Sequence, residues 1–275
     1  SYRRQRQMCI RDRFISFYDK SLSLEANLKR SHDEIEAIFN KEPSSIAGAG
    51  FEPVQGEGGG FAHAPAEWWH ALLGELKKRG VGVWFDEVQT FGRTGELFAF
   101  QRLGLEKYID VVSLAKPLHA GAVMWSEDYA PKPGLMGGTF AGHTVALATG
   151  AKIVELLCEG EYFSQTGRIR DFENFVIRDW EERRKRLNSN GVTAGDVTVF
   201  GGMIAFEVLD GTAPKIKDLL MRLFDQGVIG FAAGKSPVKL RFLPPVGVIE
   251  KAHWIQAMDI VESVLVEMSE NQEEA

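Results

Sequence analysis

Two apolar runs, Val81-Gly-Val-Trp-Phe85 and Asp110-Val-Val-Ser-Leu-Ala115, each stop at a charged residue, Asp86 and Lys116, and a short helix-like stretch near Leu97 to Leu103 lies between them. Strand, helix and strand in succession form a crossover, so the runs are expected side by side and parallel, with helices on the sheet faces. The same alternation begins upstream. Ser23 to Lys41, with Leu28, Ile35, Ile38 and Phe39 at helical spacing, reads as an amphipathic helix, and Ile46 to Val54 as a buried strand entering the glycine-rich loop Gln55-Gly-Glu-Gly-Gly-Gly60. Ala66 to Arg79, opened by Pro65 and closed by Gly80, is a helix leading into a strand over Val81 to Glu87. A further strand is expected at Gly121 to Ser126.

Beyond Gly121 to Ser126 the pattern changes. Thr144 to Leu157 is alanine-rich and helical, and Tyr162 to Leu187 reads as one long charged helix. Val192 to Phe200 and Met203 to Leu209 flank Gly201-Gly202 as antiparallel strands, followed by a helix at Ile216 to Phe224, a strand at Val238 to Leu243 and a closing helix at Ile249 to Glu267. The expected architecture is α/β: residues 14–160 form a large domain with a mainly parallel sheet, and 161–270 a small α+β domain. Residues 271–275 read as a tail.

The 275 residues, 44% hydrophobic and 25% charged, suffice for one large core or two smaller ones. A formal net charge of −6 argues against nucleic acid as partner, since phosphate binding needs a basic footprint. Two cysteines, Cys9 and Cys158, make neither a disulfide framework nor a metal cluster, and no apolar run reaches the roughly 18 residues of a membrane span. The histidines, including His63, His70, His119 and His143, show no metal-ligand spacing. The cytoplasm is the expected location. Residues 1–13 carry five arginines and no apolar period, and Gln7 to Arg13 resembles translated sequencing-adapter sequence. Native sequence is therefore expected to begin near Phe14 and to extend upstream.

Asp86 and Lys116 would emerge at the carboxyl ends of neighbouring parallel strands, where open α/β sheets bind ligands. On spacing alone, a strand-capping acid and a surface lysine are the simpler reading. A lysine and a carboxylate so placed are also what pyridoxal phosphate requires: an amine for its aldehyde and an acid that keeps its ring nitrogen protonated. The surrounding motifs are more specific. Phe85-Asp-Glu-Val-Gln-Thr-Phe-Gly-Arg-Thr-Gly95 resembles the signature of class III aminotransferases, pyridoxal phosphate enzymes of fold type I. Phe51-Glu-Pro-Val-Gln-Gly-Glu-Gly-Gly59, Ser113-Leu-Ala-Lys116, Gly138-Thr-Phe-Ala-Gly142 and Leu240-Arg-Phe-Leu-Pro-Pro245 resemble further family segments in the same order, over nearly all of residues 14–270.

The resemblance implies that Lys116 forms the Schiff base with the cofactor and Asp86 meets the pyridinium nitrogen. It implies Val88 against the ring face, Gln89 near the phenolic oxygen, and Thr139 on the cofactor phosphate of a neighbouring subunit, hence a homodimer with a shared site. Arg241 would pair with the carboxylate of a keto acid, and Glu57 would hold that arginine at other times. The implied reaction transfers an amino group from an amino acid or ω-amine to a 2-oxo acid such as 2-oxoglutarate. An aminomutase or a decarboxylase on the same scaffold is the alternative, as is a fragment without activity. The chain departs from the pattern where Thr90 runs straight into Phe91 without an intervening glycine, where Pro117 to Ala120 replace a glycine cluster, and at His143, where an asparagine is common. Nothing before Glu52 resembles the family's phosphate loop or ring-stacking aromatic.

Overall fold

Ser23 opens the first helix, its hydroxyl accepting the Ala26 amide at 3.1 Å and so satisfying one of the donors that a helix start leaves unpaired. This helix, α1 (Leu24–Lys41), is the first regular element of the computed structural model, which describes residues 12–41, 46–139 and 141–273. Residues 1–11 of the expected leader lie outside the described residues. Strand β1 (Gly48–Phe51) follows, shorter than the expected run because the chain leaves the sheet at Glu52-Pro53. Helix α2 (Ala66–Lys78) buries Trp68, Trp69, Leu72, Leu73 and Leu76, one face at helical spacing. Gly80, at φ +73°, ends it: the Val81 amide reaches back to Leu76 and the Gly80 amide to Lys77, the paired bonds of a left-handed helix stop.

Strand β2 (Gly82–Asp86), helix α3 (Ala99–Arg102), β3 (Val111–Leu114) and β4 (Ala122–Trp125) complete the first sheet, in the order β1-β2-β3-β4. The pairings β1-β2 and β2-β3 are parallel, as expected, while β4 runs antiparallel to β3. The link 115–121 is shorter than the dozen or so residues of a parallel crossover, which forces the reversal. Asp110 anchors the start of β3, its carboxylate taking the Lys77 ammonium at 2.7 and 2.8 Å and the Val83 amide at 2.6 Å. Behind the sheet lies an aromatic core in which Trp68, Trp69, Phe51 and Phe85 meet mostly edge to face. Helix α1 is pinned to α2 from outside. The Trp68 indole donates to Ser31 at 3.0 Å, and Arg79 bridges Glu36 and Glu75 beside His32. His32, Glu36 and Glu75 bring ligand atoms within 4.8 Å of one another, with the Arg79 guanidinium as the positive charge paired to both carboxylates.

Helix α4 (Thr144–Glu159) precedes α5 (Arg168–Ser189), which starts later than expected. Residues 162–167 instead form turns, with Ser164 at φ +90° and its amide bonded to Gly95. Strands β5 (Ala194–Phe200) and β6 (Met203–Val208) form the expected hairpin, followed by α6 (Ala213–Asp225), a short strand β7 (Phe231–Ala233) that the sequence reading lacks, β8 (Lys239–Phe242) and α7 (Lys251–Glu273). The closing helix includes 271–273 of the expected tail. All pairings in this second sheet, ordered β5-β6-β8-β7, are antiparallel. Its core joins Phe206, Trp180, Phe242 and Trp254 to apolar residues of α6 and α7. A buried ion pair crosses between the two sheets: Glu173 of α5 accepts both Arg102 amino groups at 2.9 Å and the Gly201 amide at 3.1 Å.

Candidate active site

Alternation along β2 buries Phe85 behind the sheet and sends Trp84 and Asp86 to the other face, which is open; Trp84 is 45% exposed there. Asp86 pairs in register with Ser113 of β3, so Lys116, a few residues beyond, leaves the neighbouring strand at the same edge. The Asp86 carboxylate accepts the Val88 amide at 3.0 Å through Oδ1, which bends the chain out of the strand, and Oδ2 has no hydrogen bond among the described residues. Lys116 opens a single 3₁₀ turn, Lys116–Leu118, at φ +49°. Holding a non-glycine residue in this left-handed region costs about 1–3 kcal/mol, a strain that concentrates at functional positions. Its exposed ammonium has no hydrogen bond or ion pair among the described residues.

Glu87, next to Asp86, faces the interior and was not singled out from sequence. It is fully buried and accepts the Thr90 hydroxyl and the Ala99 and Phe100 amides, holding the start of α3 under the site loop. Burial pushes its carboxyl above the usual range, against the pull of these donors. Val88 and Gln89 are half-buried. Arg93 donates to the Gln89 carbonyl at 2.8 Å, but the Gln89 side-chain oxygen is buried without a hydrogen bond.

Arg241 and Glu57, far apart in sequence, do meet. Arg241 Nη1 donates to Glu57 Oε1 at 3.2 Å, and the guanidinium lies over the rings of Phe61 and Phe231, 5.4 and 5.2 Å from their centroids. The arginine side chain is 7% exposed and the glutamate 62%, so the acid is the partner free to move. The Arg241 Nε is buried without a partner, leaving a donor unused. The Gly234 amide holds the Glu57 carbonyl at 2.7 Å, fastening the glycine loop to the second sheet. Thr139 stands apart, exposed on the turn before α4 and bonded to none of the other candidates; with 141–145 it lines an open hollow. His143 caps α4, its Nδ1 accepting the Ala146 amide at 3.3 Å.

Among the described residues the donor set suits pyridoxal phosphate: an amine without a partner, a carboxylate with one oxygen unbonded at the adjoining strand end, and an amide whose buried oxygen lacks a partner.

A model of the family described as Aminotransferase class-III matches residues 11–265. The chain is 30% identical over 249 residues to 5-aminovalerate aminotransferase DavT of Pseudomonas putida, covering 86% of this chain and 56% of that protein. It is 31% identical over 241 residues to acetylornithine aminotransferase of Aquifex aeolicus, covering 85% of this chain and 57% of that protein. Among solved structures, the lysine aminotransferase from M. tuberculosis in the internal aldimine form superposes with a TM-score of 0.78 at 23% identity, over 90% of this chain and 57% of that one. That likeness is one of fold, the type I fold of pyridoxal phosphate transferases, here with a mostly parallel sheet and a second, antiparallel one. The chain spans a little over half the length of these curated relatives.

Proposed function

The chain belongs to the class III aminotransferases, and from that premise we propose that the protein is a pyridoxal-phosphate-dependent transaminase, moving an amino group from an amino acid or ω-amine to a 2-oxo acid such as 2-oxoglutarate. The observation that carries this reading is the Lys116 amine, without a partner among the described residues and held in left-handed backbone at the sheet edge that also bears Asp86. When bound, the cofactor supplies an aldehyde that condenses with amines and a cationic ring that withdraws electrons from the carbon beside the bound nitrogen.

Lys116 Nζ would be the amine that holds the aldehyde of the cofactor, and with an amino donor in its place it would serve as the base that takes the donor's proton and returns it. Asp86 would keep the ring nitrogen protonated, while Val88 would pack on the ring and Gln89 would meet its phenolic oxygen. Arg241 binds the 2-oxo acid carboxylate with paired donors once Glu57 swings away, a motion that costs little because Glu57 is already largely in solvent. Thr139, exposed, is read as donating to the cofactor phosphate of a second subunit, which makes the protein a homodimer with shared sites. Residues 14–160 and 161–270 are read as its large and small domains. No helix among the described residues is long and apolar enough to cross a membrane, and a cytoplasmic location suits an acidic chain with two cysteines.

Borohydride reduction after incubation with pyridoxal phosphate should leave the cofactor covalently attached at Lys116, as peptide masses would show, with no attachment in Lys116→Ala. Amino transfer from an ω-amine to 2-oxoglutarate should accompany it. Attachment elsewhere, or no transfer to any 2-oxo acid, would remove the proposal.

A further inference from the structure

Nothing ties down the Gln89 side chain by hydrogen bonding: its Oε1 is buried without a partner, and its Nε2 makes no hydrogen bond among the described residues. Contact must therefore set where the amide lies. A Cβ placed on Gly56 would fall 2.5 Å from Gln89 Nε2, 3.5 Å from Gln89 Cδ and 2.9 Å from Glu52 Oε2. Gly56 sits at φ −73° and ψ −138°, outside the regions that residues with a side chain favour, so glycine serves this position by its backbone freedom as well as by the space it leaves. The Gly56 amide donates to the Glu52 carboxylate, and Glu52 leaves β1 beside Asp86, because Phe51 is in register with Phe85. Glu52 thus tethers the glycine loop, and the loop presents a bare α-carbon to the Gln89 amide.

We propose that Gly56, tethered by Glu52, is a positioning residue that sets the Gln89 amide against the cofactor, an inference that rests on the transaminase reading of the site. A side-chain amide without hydrogen bonds samples several rotamers, and a wall on one side removes those that turn away from the ring. The atoms that a methyl group would meet are the ends of flexible side chains, so Gly56→Ala displaces the amide; because the same change also strains the backbone of the loop, Glu52→Ala serves as a second variant with no added atom.

The test uses the full chain with two readouts. In the protein without cofactor, the side-chain amide resonances of Gln89, assigned through their loss in Gln89→Ala, are expected to shift in Gly56→Ala. They should also shift in Glu52→Ala, which removes the acceptor of the Gly56 amide without adding atoms. With pyridoxal phosphate bound, the pH midpoint of its absorbance should rise by about one unit in Gly56→Ala and in Gln89→Ala, since each removes a donor that favours the deprotonated phenolic oxygen. Adding Gly56→Ala to Gln89→Ala should then move the midpoint no further. Unmoved Gln89 resonances in both loop variants, or a midpoint shift from Gly56→Ala that persists in the Gln89→Ala background, would overturn the proposal. A wild-type chain that takes up no pyridoxal phosphate would sink the transaminase reading itself and the inference with it, whatever the resonances do.

Discussion

The second sheet closes over its core, whereas the first keeps a face and an edge open. Met203 to Phe206 of β6 are all buried, while Val123 to Trp125 of β4, also in a sheet, are all exposed, and Trp84 shares the open face with Val123 and Trp125. Groups without a hydrogen-bond partner among the described residues follow the same division: the Lys116 amine, one Asp86 oxygen and the Gln89 side-chain oxygen all belong to the open half. Stability and reactivity are thus assigned to different halves. A reactive amine or acid must lack a strong partner, and only a region that does not carry the main core tolerates such groups together. Arg241 is the exception, a charge seated in the closed half and kept there by aromatic rings and one mobile acid.

That contrast is open to direct attack. Phe206→Ala empties the centre of the closed core, where its ring meets those of Trp180, Phe242 and Trp254, and should cost about 4 kcal/mol in urea denaturation. A loss below about 1 kcal/mol would mean that the core repacks and the two halves do not differ. Glu173→Gln strikes the seam, leaving Arg102 buried without its counter-ion, and should cost about 3 kcal/mol. The two halves should then melt in separate steps by calorimetry; a single sharp transition of wild-type height would show that the seam is not what couples them. On the open face, Trp84→Ala removes a half-exposed ring and its 3.0 Å bond to Ser113, so the same urea experiment should register only about 1 kcal/mol. Smallest is Asp210→Asn at the start of α6. There the Thr212 amide and hydroxyl, with Lys215, hold the Asp210 carboxyl down to about 2, from 3.8. A lowered folded value adds stability above pH 3.8 that disappears as pH falls through about 2. The asparagine variant should show a flatter acid limb over that window, and an unchanged limb would leave Asp210 without a role in it.

Most of the strand and helix order was legible because apolar runs and helical spacing survive without context. The direction of β4 was not, since it depends on the length of the link after Lys116 more than on the strand's own residues. Strand β7 has three residues, two of them exposed, and shows no period that sets it apart from a loop. Within the site, Asp86 and Lys116 stood out through their motifs, whereas the approach of Glu57 to Arg241 across two sheets came only through resemblance. Glu173 did leave a signal: it lies four residues after Ile169 and three before Val176, on the buried stripe of α5, where an acid needs a partner. Glu87 was hidden by its neighbour, since nothing in Asp86-Glu87 says which acid turns inward until the strand alternation is fixed.

The left-handed backbone at Lys116 also bears on how this protein can change by mutation. Replacement by valine or isoleucine would strain the turn as well as remove the amine, because branching at Cβ is poorly tolerated there. Asparagine or glycine would keep the turn and lose only the amine. Descendants that abandon the chemistry proposed for Lys116 should therefore drift toward those small residues and keep the loop's shape as its trace.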